Sequence, residues 1–277
     1  MNIVLKRSGA IGDIINTFIV VEKLVDIGYE ITLIVLEKFK EIGQLSPYIT
    51  NVYHTNEYEG RIDIDYDGVY EYVKNGKKFE RRECEPKYWI DRTNLFLEKF
   101  GQKLDYNVKS PQLSIDESTI SKKLKYLNNY QKPWHIFVHG SYSDITRRIP
   151  IHIIEKVAKN IKGTSFILDY DQENQNLIEL PIDKLWDIVA FIYLCDTIIT
   201  PVTGPLHIAN GFGKKTITMN QSNIVNLIYP NNKMIILNDI CNCVGCITWN
   251  KCKQTKDINK IPCQQIDCKE IIKHLEC

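Results

Sequence analysis

Three short stretches of this sequence gather residue types that handle phosphate and hydroxyl groups, and a fourth concentrates thiols. Near the amino end, Ser8-Gly9-Ala10-Ile11-Gly12-Asp13 follows an apolar run. Glycine lets backbone approach a ligand closely, and a helix start offers unpaired N–H groups with positive partial charge. An ionised carboxylate at such a place can take a proton from an attacking hydroxyl. Asp13 also has a plainer use, since an acid in a first turn stabilises the helix dipole. Farther along, His139-Gly140-Ser141 is followed by Arg147-Arg148-Ile149-Pro150. The arginine fork donates two parallel hydrogen bonds and suits phosphate, although a single arginine before a helix is more often a solvated charge. In Thr200-Pro201-Val202-Thr203-Gly204-Pro205-Leu206-His207, Thr203 can cap a helix, Gly204 permits close approach and Pro205 suits the first turn. A helix start of this kind can receive a diphosphate. His207 reads first as a structural histidine and only second as a ligand-binding one.

Of the nine cysteines, seven fall between Cys241 and Cys277. Clustered thiols in a chain without an export signal indicate a metal before they indicate disulfides. Four thiolates arranged tetrahedrally make a closed, structural site, and both zinc and iron suit it. The competing reading is a set of reduced or adventitiously oxidised thiols. Cys195, inside an apolar run, reads as core filling.

The elements that position these residues follow from periodicity. Ile3 to Lys6 reads as a strand, and residues 14 to 27 as a helix ended by Gly28; Glu30 to Leu36 is the next strand. Strand, helix and strand in so short a span require parallel pairing. The alternation resumes with strands at His135–His139 and Ser165–Asp169 and a helix between them that opens near Pro150. A helix over Lys184–Leu194, a strand over Asp196–Thr200 and a helix over Leu206–Phe212 come next. Strands at Lys215–Met219 and Met234–Leu237 close the series, and Cys268 to Leu275 predicts a short terminal helix. Residues 128–133 read as a linker. The expected class is α/β, with two Rossmann-like domains facing a cleft at the carboxyl ends of their strands, where open sheets bind ligands. The expected division is residues 1–130, residues 131–240 and a Cys-rich segment over residues 241–277.

Composition narrows the function. Thirty-five basic and 34 acidic residues leave a net charge of +1, so no broad field attracts nucleic acid or an anionic membrane. No run approaches the roughly 18 consecutive apolar residues of a membrane span. The amino end has neither the apolar centre nor the cleavage site of a signal peptide, which points to the cytoplasm.

Taken in order, the three phosphate-type stretches resemble the heptosyltransferase family of inverting glycosyltransferases, family 9, with its two-domain B-type fold. Gly12-Asp13 with Thr17 looks like that family's opening motif, and Arg61-Ile62-Asp63-Ile64-Asp65-Tyr66-Asp67 like its second strand segment. His139-Gly140-Ser141 through Arg147-Arg148-Ile149-Pro150 resembles its phosphate loop, and Leu185 to Ala209 its donor-binding signature. The resemblance implies Asp13 as the base that deprotonates the acceptor. It implies Arg147 as the cation on the departing diphosphate. Gly12, Ser141, Thr203, Gly204, Pro205 and His207 would form the rest of the donor diphosphate site. Cys243, Cys246, Cys252 and Cys263 match a cysteine quartet near the end of many members, some of which hold iron. The resemblance would also pack the terminal helix on the first domain. Two departures stand out: Val202 occupies a place where the family usually has Asp, and Ile149 one where it has Trp.

Asp63, Asp65 and Asp67 alternate, so a strand would put their carboxylates on one face, a set able to hold a divalent cation. The resemblance assigns them to a strand end and turn, and no catalytic divalent metal is expected. The function expected is transfer of a sugar from a nucleotide-diphosphate donor to a hydroxyl of a glycan, a protein or a modified base. A non-catalytic nucleotide-sugar binder is the alternative from another class. A nicotinamide oxidoreductase is disfavoured, because the full Gly-x-Gly-x-x-Gly fingerprint is absent.

Overall fold

The computed structural model describes residues 1–65, 90, 93–94, 96–105, 107–141, 144–168, 177–219, 231–237, 252, 255 and 261–276. The chain divides into two compact units that meet at Ser114/Ile115.

The first unit opens with β1 (Asn2–Lys6), α1 (Ile11–Val25) and β2 (Glu30–Val35). A single turn, α2 (Lys40–Gly43), then leads to β3 (Ile49–His54) and the short β4 (Ile64–Asp65). The order is β3-β2-β1-β4, and every pairing is parallel. Parallel sheets need cover on both faces, which explains why Ile31 to Val35 of β2 are all buried. One cover is α1, whose Ile14, Ile15, Phe18, Ile19, Val21 and Leu24 are all buried. Each such side chain contributes about 1.5–3 kcal/mol relative to exposure. Gly28, with φ of 89°, turns the chain out of the helix in a conformation that a Cβ disfavours.

The second unit begins with α3 (Glu117–Leu127), capped by Asp116, whose carboxylate accepts from the Ser118 N–H. Then come β5 (Trp134–Val138), an antiparallel hairpin of β6 (Gly140–Ser141) and β7 (Asp144–Arg148), and α4 (Ile151–Ala158). They are followed by β8 (Thr164–Leu168), β9 (Ile178–Glu179), α5 (Leu185–Leu194) and β10 (Thr197–Ile199). The rest is α6 (Gly204–Gly211), β11 (Lys215–Met219), β12 (Met234–Leu237) and α7 (Cys268–Glu276). Apart from the hairpin, the strands form one parallel sheet in the order β12-β11-β10-β5-β8-β9. The chain therefore builds outward from β5 on one side, then returns to β10 on the other. Such a reversal of strand order is a topological switch point, and it opens at the carboxyl ends of β5 and β10.

Two placements differ from the sequence reading. The unit boundary lies ahead of residue 130, because α3 packs on α5 of the second unit. Lys123 pairs with the buried Asp187 at 2.8 Å, and the Tyr126 ring meets Phe191 edge-on at 5.9 Å. Residues 128–133 are thus the exit from α3, ending in a cis Lys132–Pro133 bond. The terminal helix α7 belongs to the second unit and packs on α4 there. Ile266, Cys268 and Ile271 share a core with Ile149, Ile153, Ile154 and Val157.

Candidate functional site

In the first unit, the loop after β1 is organised around one carboxylate. Asp13 is the third residue of α1. Its Oδ2 accepts from the Ala10 N–H at 3.0 Å, and its Oδ1 forms an ion pair with Arg7 Nη2 at 3.1 Å. The pair is asymmetric: the Arg7 side chain is 6% exposed and that of Asp13 43%. Arg7 extends the β1–β2 ladder by donating its N–H to the Ile34 carbonyl at 2.8 Å, which fixes the backbone beneath its side chain. Gly9 is required by the packing, since a Cβ there would stand 2.5 Å from Asp13 Cβ. Gly12 lies in the first turn of α1. Thr17 is buried and donates to the Asp13 carbonyl at 2.9 Å, a helix-internal role. The sequence reading missed Arg7. The available signal was an arginine immediately after a strand and less than two helical turns before the acid.

Asp63 also has a structural task. Its Oδ2 accepts from the Val4 N–H at 3.0 Å while its own N–H donates to the Val4 carbonyl, so it pins the entry of β4 against β1. Asp67 lies outside the described residues.

In the second unit, two phosphate-type stretches meet at the switch point. Arg147 Nη1 donates to the Val202 carbonyl at 3.3 Å, joining the hairpin after β5 to the turn after β10. The sequence reading placed Arg147 and Arg148 in a loop; both lie in β7, where the backbone fixes their direction. Gly140 makes this possible. Its φ is 145°, and a Cβ would collide with the Arg147 carbonyl and Arg148 Cα. The base of the hairpin is closed twice: the Ile149 N–H donates to the His139 carbonyl, and His139 Nδ1 donates to the Ile149 carbonyl, each at 2.8 Å. Ile149 is buried in the core. From below, the buried Cys263 donates its thiol to the Thr146 carbonyl at 3.6 Å.

Thr203 holds the N-cap position of α6 but makes no side-chain cap bond, contrary to the sequence expectation. Its hydroxyl turns back to the Pro201 carbonyl at 3.3 Å and lies 3.2 Å from the Thr200 hydroxyl. The turn thereby ties its own corner together and keeps its side chains off the helix start. Gly204 is the first helical residue and Pro205 the second, one place later than expected. Proline supplies no N–H there, so the bare Gly204 backbone is the approachable part of this turn. His207 is buried within α6. The backbone of Ser141 lies in β6.

Of the four cysteines proposed as metal ligands, Cys243 and Cys246 lie outside the described residues; Cys252 is partly buried and Cys263 buried. Among the described residues, no group of three or more His, Cys, Asp or Glu side chains is placed to hold a metal ion. No helix among them is long and apolar enough to cross a membrane.

No protein-family model matches the chain, and no curated protein matches it in sequence. Solved structures do resemble it. The ADP-heptose lipopolysaccharide heptosyltransferase II of E. coli superposes with a TM-score of 0.72 at 13% identity, covering 100% of this chain and 98% of that one. A family 9 glycosyltransferase of Veillonella parvula gives 0.68 at 14% identity, covering 99% and 96%. The iron-containing dodecameric glycosyltransferase TibC of enterotoxigenic E. coli gives 0.64 at 10% identity, covering 99% and 74%. The chain shares with these glycosyltransferases their α/β fold of two Rossmann-like units.

Proposed function

We propose that the chain is an inverting glycosyltransferase that takes a sugar from a nucleotide-diphosphate donor and passes it to an acceptor hydroxyl. The observation that carries this reading is the Arg147–Val202 bond, which places a guanidinium beside the bare start of α6 at the switch point of the sheet. Both features favour an anion. Heptosyltransferases of the same fold are described with ADP and with ADP-heptose analogues, which supports a nucleotide-sugar ligand.

In the step itself, the acceptor oxygen attacks the anomeric carbon and its proton passes to Asp13. The bond from that carbon to the diphosphate oxygen breaks, and the electron pair leaves on the nucleotide diphosphate. Arg147 and the Gly204 N–H stabilise the charge that develops there, which needs no catalytic divalent metal. Asp13 then releases its proton to solvent. Gly12, at the start of α1, and Ser141, Thr203, Pro205 and His207 of the second unit complete the donor diphosphate site in this reading.

The cysteines Cys243, Cys246, Cys252 and Cys263 hold a structural zinc or iron in the same reading. Their donor set suits either, and TibC supports iron. A filled four-thiolate shell has no open position for substrate, so the group supplies only a crosslink. Metal analysis of purified protein, with Cys243→Ala and Cys246→Ala beside it, tests this; protein free of metal defeats it.

The decisive test of function is a thermal-shift series with ADP, UDP, GDP, their sugars and NAD. Stabilisation that rises with nucleotide-sugar concentration is expected. Preference for NAD overturns the reading. Donor binding without any turnover, unchanged in Asp13→Ala, would make the chain a binding protein.

A further inference from the structure

We infer that Arg7 is the positioning residue of the transfer: it holds Asp13 in the fixed orientation in which the carboxylate can take the acceptor's proton. This rests on the reading of Asp13 as the base.

The geometry of the loop carries the inference. Each carboxylate oxygen of Asp13 is already engaged, Oδ1 in the ion pair with Arg7 and Oδ2 as acceptor of the Ala10 N–H. The two donors lie on the same chain, three and six residues before the acid, so the carboxyl plane is set by the loop itself. Gly9 lets the side chain fold back over the loop, where any Cβ would strike it. What remains of the carboxylate faces outward. A surface ion pair between two flexible side chains would specify little. Here the cation is buried on a strand-anchored backbone and only the acid is exposed, so Arg7 has little freedom and Asp13 inherits that restriction.

Arg7 touches neither donor nor acceptor in this scheme. It acts through Asp13, and a reactive group displaced by about 1 Å can lose on the order of a hundredfold in rate.

The test compares full-length wild type with Arg7→Lys, Arg7→Met and Asp13→Asn, together with the Arg7→Met/Asp13→Asn double variant. Transfer kinetics, nucleotide affinity and thermal unfolding are measured for each. Arg7→Met is expected to lower kcat by roughly a hundredfold with nucleotide affinity unchanged, because Arg7 acts on the orientation of the acid and not on the diphosphate. Arg7→Lys, which keeps the charge, restores part of the rate. The double variant is no slower than Asp13→Asn alone, since residues that act as a unit are not additive. Guanidinium ion, but not sodium at equal ionic strength, raises the rate of Arg7→Met.

Wild-type kcat in a folded Arg7→Met, or losses that multiply in the double variant, overturns the inference and leaves the function standing. Absence of transfer by wild type with every nucleotide sugar overturns both. If Arg7→Met fails to fold, Arg7→Lys decides: a folded Arg7→Lys with lowered kcat and wild-type nucleotide affinity supports the inference, and a wild-type kcat or a failure to fold overturns it.

Discussion

Arg147 reaches across from β7 to the Val202 carbonyl, so the guanidinium and the start of α6 are held to each other by a 3.3 Å hydrogen bond. The bond uses a backbone carbonyl and would survive replacement of the Val202 side chain. It would not survive loss of the guanidinium. Arg147→Ala is expected to lower kcat/KM for a nucleotide sugar by roughly 10²–10³-fold, with Arg147→Lys intermediate. Steady-state kinetics on the two variants check this, and equal rates in wild type and Arg147→Ala would remove Arg147 from the site.

Gly9 and Gly140 are expected to respond differently to alanine. At Gly9 the new Cβ meets the Asp13 side chain, so Gly9→Ala should reduce kcat while nucleotide affinity stays as in wild type. At Gly140 it meets the Arg147 carbonyl, and the residue is held at φ of 145°. Gly140→Ala should therefore weaken nucleotide binding and cost on the order of 1–3 kcal/mol in stability. Calorimetric titration with ADP and urea unfolding separate the two effects; identical behaviour would contradict this division.

His135 gives a prediction about acid. It is buried in β5, its Nε2 donates to the Lys162 carbonyl at 3.1 Å, and its Nδ1 has no partner. Burial pushes its pKa below 6.5, against a smaller upward pull from the Lys162 carbonyl and Asp196. Above pH 6.5 the ring is neutral in folded and unfolded chains alike, so it contributes no pH dependence. Below that value the unfolded chain takes up the proton first, and stability is lost as pH falls from 6.5 toward the folded value. The loss approaches at most about 1.4 kcal/mol per pH unit. Urea unfolding between pH 7.5 and 5 should show this slope in wild type and a shallower one in His135→Gln.

Asp187 makes the complementary case. Burial raises its pKa, but the Lys123 ammonium and the Asp183 and Lys184 N–H groups together outweigh that, and the net shift is downward from 3.8. The ionised form is the one that holds α3 to α5. Its contribution is present above pH 3.8 and is lost as pH falls below it through the folded value. Asp187→Ala removes the ion pair and the acceptor of the Asp183 and Lys184 N–H groups, while Lys123 keeps the Pro181 carbonyl, so it should cost about 1–3 kcal/mol at neutral pH. A change below 0.5 kcal/mol would show that α3 is held by its ring contacts instead.

Much of the architecture was legible in the sequence because its parallel strands are short apolar runs. Lys215–Met219 and Met234–Leu237 were expected as strands and occur with those bounds. The hairpin of β6 and β7 was not legible, since Asp144–Arg148 is polar and carries no apolar alternation. Its pairing depends on Gly140 and on the bonds between His139 and Ile149, which are tertiary facts. The position of α3 was missed for a related reason. Its attachment to the second unit runs through Lys123 and Tyr126, residues that composition assigns to a solvated face. At the site, residue types located Asp13 and Arg147, but only geometry revealed that one has Arg7 beneath it and the other Cys263 behind its strand.

That Cys263 contact spans 117 residues of chain, from a strand in the middle of the second unit to the segment just before α7. A growing polypeptide can lay down β5, β7 and α4 early, yet the part of the α4 core that Ile266 and Ile271 complete stays uncovered until they have been synthesised. During that interval the unit displays an oily strip to the cell. Chaperone occupancy on nascent chains and aggregation of truncated ones should both peak in lengths ending shortly before residue 261.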